Sequence, residues 1–248
     1  MPPTEFNTAE FDLAYPPGVE FNYWTVARNR ILWRALARQG WLDGEWLEVG
    51  CGRGIVLQFL RQRGLEVRGV ELAPVPPLPA VAPYLRTGVD VCDLPLAERS
   101  RPSGVLLLDV IEHLPDPVAF LRRLRESLPG ARRWLVTVPA HPELWSNYDE
   151  FYGHHRRYTA AVLREQLSAA GLRPLATRHF FHALYPAARL LLGSGRQRAV
   201  KIVAPPTWQR PLHHALGLGF ALESQLLPTS WPGTSLLCVA ESAEGSQK

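Results

Sequence analysis

Residues 47–54, Leu47-Glu48-Val49-Gly50-Cys51-Gly52-Arg53-Gly54, read as a buried strand that breaks into a glycine-lined turn. Trp46, Leu47 and Val49 supply the apolar run, and Ile55 to Leu60 begin a helix-like pattern behind the turn. Glycines at 50, 52 and 54 let the chain turn sharply and let a ligand approach bare main chain. A strand, glycine-rich turn and helix at the carboxyl edge of a parallel sheet is a place where nucleotide-type cofactors bind. Glu71 follows seventeen residues after Gly54, near the end of a second apolar run from Val67 to Leu72. An acid so placed can accept hydrogen bonds from ribose hydroxyls. The chemistry indicated is recognition of a nucleoside-bearing cofactor.

The glycine spacing separates two cofactors. A dinucleotide fingerprint puts its third glycine five residues after the first; here it falls four after, and position 55 is Ile. The acid-led run E-x-G-x-G-x-G, from Glu48 to Gly54, resembles the first motif of the class I S-adenosylmethionine-dependent methyltransferases. A dinucleotide sets a pyrophosphate on the helix N-terminus, whereas the methyl donor offers an amino group, which suits Glu48, and a carboxylate. Val91-Cys92-Asp93-Leu94-Pro95 resembles that family's adenine-contacting loop, with Asp93 implied as acceptor for the exocyclic amine. Val105 to Leu108 form a continuous apolar run, the pattern of a strand buried on both faces. The segment that follows, Asp109-Val110-Ile111-Glu112-His113-Leu114-Pro115-Asp116-Pro117, resembles the post-strand-4 motif of small-molecule enzymes of the ubiquinone-biosynthesis type. Tyr23-Trp24, Arg28 and Ile31 to Leu36 are similar to the N-terminal helix that caps the cofactor in related enzymes. The resemblance covers residues 20–182 and the final strand. It implies S-adenosylmethionine as cofactor, held by Glu48, Gly50, Cys51, Gly52, Gly54, Glu71, Asp93 and Asp109.

Methyl transfer from a sulfonium needs mainly desolvation and alignment, which can lower a barrier by about 7–11 kcal/mol. A base is required only where the acceptor loses a proton. His113 is the first candidate, since an unperturbed imidazole titrates near working pH, and His155 is the second; a backbone-bonded loop histidine is the structural alternative for His113. Asp109, at the end of the fourth strand, lies where ligands of open α/β sheets bind, with a turn-forming role as its alternative. The loop after the fifth strand reads P-x-H from Pro139 to His141, then W-S-N-Y-D from Trp145 to Asp149, then G-H-H-R-R-Y-T from Gly153 to Thr159. His141, Asp149, His155 and Arg157 are substrate-side candidates there, and an Asp149–Arg157 pair that only fixes the loop stands beside that reading. Trp145, Tyr148, Tyr152 and Tyr158 can line an aromatic acceptor pocket or shield a sulfonium; ordinary packing is the plainer account. No metal ligand set is evident, and no metal is expected.

These residues need an α/β scaffold. Strand and helix patterns alternate from Trp46 to about His182, which predicts a doubly wound, Rossmann-like seven-stranded sheet whose last strand is antiparallel. The expectation is one methyltransferase domain over residues 1–248, with residues 1–40 forming a cap-helix region behind an extended lead-in marked by Pro2, Pro3, Pro16 and Pro17. Pro74, Pro76, Pro77, Pro79 and Pro83 crowd the second crossover, so a helix there is short or missing. Asp116 and Pro117 open a helix to Leu128, and Thr159 caps another that Gly171 ends. Residues 183–232, rich in Leu, His and Pro, form an expected helical insertion before the last strand.

The 248 residues are 46% hydrophobic and 20% charged, as in ordinary globular proteins. Of 27 basic residues 25 are Arg, and the formal net charge is +4. Three scattered cysteines without a CxxC argue against a disulfide framework or a zinc site. No signal-peptide pattern opens the chain, and the uncharged stretches fall short of the roughly 18 apolar residues of a spanning helix; a cytoplasmic location is expected. The function expected is methyl transfer to a small-molecule acceptor, aromatic or lipid-like, with oxygen favoured. Nucleic-acid methylation is the alternative, disfavoured because neither Asp/Asn-Pro-Pro-Tyr/Phe after strand four nor a Pro-Cys dipeptide occurs. An NAD-dependent oxidoreductase is disfavoured by the glycine spacing. Residues 187–192 and 212–227 suggest amphipathic helices that touch a membrane or grip a greasy acceptor, with helix packing onto the core as the favoured account.

Overall fold

The computed structural model describes residue 13 and residues 15–243. The expectation for Pro2 and Pro3 lies outside the described residues. Helix α1 (Tyr23–Arg38) is opened by Asn22, whose side chain accepts from the Trp24 amide. Then come β1 (Glu45–Val49), α2 (Ile55–Arg61), β2 (Glu66–Glu71), β3 (Leu85–Thr87), α3 (Leu96–Arg99) and β4 (Gly104–Leu108). Next are α4 (Pro117–Ser127), β5 (Arg133–Pro139), α5 (Asn147–Phe151), α6 (Ala160–Ala169) and β6 (Leu172–Phe180). Helices α7 (Leu184–Gly193) and α8 (Arg210–Leu226) precede the last strand, β7 (Ser235–Ser242).

The seven strands lie in the order β3-β2-β1-β4-β5-β7-β6, with β7 antiparallel to both neighbours. The strand order reverses between β1 and β4, so a crevice opens at their carboxyl ends, the switch point where open α/β sheets bind ligands. Every residue of β4 is buried, as a central strand covered by helices on both faces requires. On one face Leu106 and Leu108 join Trp46, Leu57, Leu60 and the α1 residues Ile31, Leu32 and Leu36. On the other, Leu47, Val105 and Leu107 join Leu121 and Leu124 of α4 and Leu163 and Leu167 of α6.

Local signals account for the helix starts. The Asp116 carboxylate accepts from the Ala119 amide at 3.0 Å, with Pro117 in the first helical position. Thr159 Oγ1 accepts from the Val162 amide at 3.3 Å. The proline-crowded crossover between β2 and β3 holds only the 3-10 turn Ala82–Tyr84, since proline removes the donors a helix needs. Helix α8 lies against α1. At Gly217 an added Cβ would fall 2.5 Å from Val26 Cγ1 and 2.9 Å from the Tyr23 carbonyl oxygen, so the close approach requires glycine.

Leu106 is 1% exposed in the central strand. Leu106→Ala is expected to cost about 2–5 kcal/mol, read as a lower urea midpoint with an unchanged m-value.

Candidate cofactor and acceptor site

The turn after β1 is left-handed at Gly50 (φ 74°), Gly52 (φ 54°) and Gly54 (φ 84°), conformations that side chains resist. The turn is tied to the end of β2. The Gly52 amide donates to Glu71 Oε2 at 2.8 Å, and the Ala73 amide donates to Oε1 at 2.9 Å. Burial raises the proton affinity of Glu71, and those two amides oppose the shift. Each oxygen keeps a lone pair for a ligand hydroxyl. Cys51 sends its thiol toward Gly69, where an added Cβ would meet the sulfur at 2.6 Å. Burial pushes that thiol well up, so the side chain is inert and packs.

Glu48 is 3% exposed at the end of β1. Burial pushes its pKa up to about 8, with the Arg28 guanidinium opposing and Glu71 adding. Its Oε2 is buried without a hydrogen-bond partner among the described residues. From α1, Arg28 Nη2 reaches Asp109 Oδ2 at 2.6 Å. Asp109 holds a left-handed conformation (φ 58°) just past β4, and its Oδ1 accepts from Thr137 Oγ1 at 3.1 Å. A non-glycine residue in that region stores backbone strain, common where a side chain must face a ligand. Arg28 also sits 5.0 Å from the centroid of the Trp24 ring.

Two tyrosines complete this edge. Burial raises the Tyr15 phenol, and the charges of Arg28, Asp109, Glu71 and Glu48 all bear on it. Tyr148 is raised by burial and feels both Tyr15 and Asp109. Sequence reasoning passed over Tyr15, because a lone tyrosine in a proline-flanked lead-in carries no local signal. Asp93 lies exposed on the 3-10 turn Val91–Asp93. The anchored acid of that loop is Asp90, which accepts from the Cys92 amide at 2.8 Å and pairs with Arg123 at 3.1 Å.

On the acceptor side, the loop after β5 closes over the turn after β4. Asp149 is fully buried and accepts from the Ser146 amide and hydroxyl and from Arg157 Nε at 2.8 Å. His154 Nδ1 lies 2.8 Å from the same carboxylate. Arg157 Nη1 also donates to the Ala140 carbonyl at 3.1 Å. The Asp149–Arg157 pair therefore fixes the loop, the structural reading of the two. His155 is exposed, and its amide donates to the Glu112 carbonyl at 2.8 Å. His141 stacks on His179, with ring centroids 5.0 Å apart, beside Tyr185. Tyr158 is buried and its hydroxyl donates to the Ile111 carbonyl at 3.3 Å.

His113 meets His154 edge-on at 4.7 Å. Burial first, and the neighbouring His154 second, lower its pKa to about 3. Glu112 beside it is completely buried, and neither carboxylate oxygen has a hydrogen-bond partner among the described residues. Burial and the nearby Asp109 push its proton affinity well up, against Arg28 and Arg157. Ligand atoms of Glu112, His113 and His154 lie within 4.8 Å of one another, a grouping that can also hold a divalent cation. Sequence reasoning expected no metal, because His154 joins the other two only through the fold.

The raised Glu48 pKa fixes the sign of a pH effect. Between the ordinary carboxyl pKa and about 8 the folded chain keeps a proton that the unfolded chain has lost. Stability therefore falls as pH rises through that window and levels off above about 8. Glu48→Gln is expected to flatten this slope in urea titrations from pH 5 to 9; an unchanged slope would place Glu48 in a wetter setting.

Comparison with known proteins agrees with this geometry. A methyltransferase-domain family matches residues 24–177. The ubiquinone biosynthesis O-methyltransferase of Pseudoalteromonas translucida is 32% identical over 114 residues, 43% of this chain and 48% of that protein. Its counterpart in Pseudomonas entomophila is 33% identical over 107 residues, 40% of this chain and 46% of that protein. The chain thus spans about half the length of these curated relatives. In fold, it is similar to the Burkholderia thailandensis 1,6-didemethyltoxoflavin-N1-methyltransferase, solved with S-adenosylhomocysteine. The TM-score is 0.56 at 19% identity, covering 95% of this chain and 88% of that one. It is also similar to a phosphoethanolamine N-methyltransferase from Haemonchus contortus, with a TM-score of 0.57 at 16% identity over 98% of this chain and 61% of that one. A seven-stranded sheet with an antiparallel last strand, an acid-led glycine turn tied to the acid of β2, and a family match over most of the described chain lead to one assignment: the chain belongs to the methyltransferase-domain family of class I S-adenosylmethionine-dependent methyltransferases.

Proposed function

We propose that the chain acts in the cytoplasm as a single methyltransferase unit that moves a methyl group from S-adenosylmethionine to oxygen on a small molecule. The observation that carries the reading is the Glu48 carboxyl, buried beside the glycine turn with its Oε2 unpartnered among the described residues. An ammonium group there satisfies the acid and restores its charge. The residues present therefore fit the donor. Glu48 would hold its amino group, the Gly50, Gly52 and Gly54 backbone its flank, and Glu71 its ribose hydroxyls. Asp109, held by Arg28 and Thr137, faces the same edge, and the loop carrying Asp90 and Asp93 supplies the adenine end. When bound, the donor supplies a methyl group already activated on a sulfonium.

The chain's own task is to align the acceptor, exclude water and take up a proton. Tyr15, Trp24 and Tyr148 wall the edge against solvent. An acceptor hydroxyl loses its proton as the oxygen is alkylated. His113, with its pKa lowered to about 3, is neutral at pH 7 but a weak base. Glu112 is the stronger proton acceptor, since both its oxygens lack partners and burial favours its protonated form. Positive charge added beside Glu112 lowers that affinity, so it ionises when the edge is filled and retains the proton after transfer. The O-methyltransferase relatives support oxygen as the methylated atom, over 43% of this chain. The stacked His141 and His179 rings beside Tyr185 suit a flat, aromatic acceptor.

Calorimetric titration is expected to show binding of S-adenosylmethionine and S-adenosylhomocysteine but not NAD, with Glu71→Ala weakening the donor about tenfold or more, roughly 1.4 kcal/mol. Binding of NAD alone, or an unaltered Glu71→Ala, would overturn the reading. At pH 7 the wild-type chain is expected to release a proton on donor binding, seen as a dependence of the heat on buffer ionisation enthalpy that Glu48→Gln abolishes. Once an acceptor is found, Glu112→Gln is expected to lower kcat by about 10²–10⁴ with donor affinity preserved and chelators without effect. Chelator-sensitive activity restored by a divalent cation would instead assign Glu112, His113 and His154 to a metal.

A further inference from the structure

Helix α8 is packed inside out. The face it turns to the protein buries Gly217, Ala221 and Ser224, with Phe220 at its margin packed against Tyr23 and Phe181. Polar ties fasten that face, with Arg34 Nη1 donating to the Ala221 carbonyl at 2.7 Å and Arg178 donating to the Ser224 carbonyl. The opposite face is formed by Leu212, Ala215, Leu216, Gly219, Leu222 and Leu226, spaced three or four apart except for one adjacent pair, and all exposed. Leu212 is 59% exposed, Leu222 51% and Leu226 73%. A surface helix of a globular protein turns its apolar stripe to the core; this one turns it to solvent. The helix does pack onto the core, the weightier expectation from sequence, with Ala221 and Phe220 joining the cluster around Phe181, but its outer leucines face solvent.

Charge identifies what covers this face. Residues 183–232 carry five basic side chains, Arg189, Arg196, Arg198, Lys201 and Arg210, against one acid, Glu223. That excess equals the formal +4 of the whole chain, so the remainder is neutral. Glu223 is itself turned inward, accepting from the amides of His182 and Ala183. Arg198 lies over the Tyr148 ring and Arg210 over Phe21, which leaves Arg189, Arg196 and Lys201 exposed against no exposed acid of the segment. Trp208 (78% exposed) stands just before α8 and Trp231 (54% exposed) just after it, and tryptophan favours the membrane–water interface. Among the described residues no helix is long and apolar enough to cross a membrane, so contact would be interfacial. A second copy would bring two such basic segments together, which disfavours self-association.

We propose that the outer face of α8, with the flanking tryptophans and the basic segment 189–210, docks on an anionic phospholipid bilayer. The same segment borders the acceptor side. Asn22 Nδ2 donates to the Val203 carbonyl at 3.2 Å, the Tyr152 hydroxyl donates to the Val200 carbonyl at 2.6 Å, and Asn147 Nδ2 donates to the Arg198 carbonyl at 2.9 Å. Docking therefore sets the acceptor side beside the lipid, where a lipid-soluble acceptor resides. The proposal stands apart from the identity of the donor.

The test is co-sedimentation of the full chain with vesicles of phosphatidylcholine alone or mixed equally with phosphatidylglycerol. Expected is binding to the mixed vesicles at least tenfold tighter than to the neutral ones, weakening with salt. L212Q/L216Q/L222Q/L226Q is expected to lose that binding at least tenfold, with thermal midpoint and S-adenosylhomocysteine affinity unchanged because these side chains are exposed. W208S/W231S provides a second variant should the quadruple one aggregate, with the same loss expected. No binding of wild type to anionic vesicles, or binding that survives both variants, would overturn the proposal. So would a wild-type dimer in solution that the leucine substitutions dissociate, which would assign the face to a second copy.

Discussion

Carboxyl groups gathered at one sheet edge, most of them driven toward their neutral form by burial, organise this molecule. Glu48, Glu71, Asp109 and Glu112 approach the carboxyl ends of β1, β2 and β4, and burial penalises the ionised form of three of them. Arg28 opposes that penalty at Glu48 and Glu112 and pairs directly with Asp109. Backbone amides do the same for Glu71. The edge is left short of positive charge, a condition a folded protein tolerates where a cationic ligand completes it. A donor carrying both an ammonium and a sulfonium meets that deficit; a dinucleotide, with its anionic pyrophosphate, would deepen it. Electrostatics and glycine spacing thus reach the same conclusion by separate routes.

The scaffold explains why the edge holds its shape. Strands β1 and β4 are buried along almost their whole length, so the residues at their carboxyl ends have little freedom. Arg28 extends this rigidity to α1, joining a helix before the sheet to a strand end 81 residues later. Strain at Asp109 is held by that ion pair and by Thr137. Loss of Arg28 would therefore release the Asp109 backbone and leave Glu48 and Glu112 less opposed at once, a coupling that a simple ligand contact would not have.

What could be read from sequence was local. The glycine turn, the acid of β2, the apolar fourth strand and the Asp116 and Thr159 caps each announce themselves within a few residues, and the alternation of strands and helices gives the sheet. Meetings between distant residues could not be read this way. His154 reaches His113 because Asp149 and Arg157 fold their loop back over β4, and Tyr15 reaches the edge from a segment without periodicity. In the loop after β3 the acid that the motif suggested, Asp93, is exposed, and Asp90 is the one tied into the turn. In helix α8 the leucine spacing marks an amphipathic helix, but spacing alone does not say which way the stripe faces. The small residues opposite hold that information: an added Cβ at Gly217 would collide with Val26 and the Tyr23 carbonyl, so that face can come close to α1.

The proton path follows from the same electrostatics. Two neighbouring groups share one buried turn, and burial acts on them in opposite senses because it always favours the neutral form. It drives His113 toward a bare imidazole with little appetite for a proton, and Glu112 toward a carboxylic acid that releases one reluctantly. A group that must accept a proton during methyl transfer and keep it until the product leaves needs the second property. Burial and the nearby Asp109 give Glu112 that property, and under the proposed mechanism the added positive charge of an occupied edge would return it to the ionised form. In the proposed reaction the acid–base role therefore passes from the residue type best suited in water to its neighbour, whose surroundings suit it better.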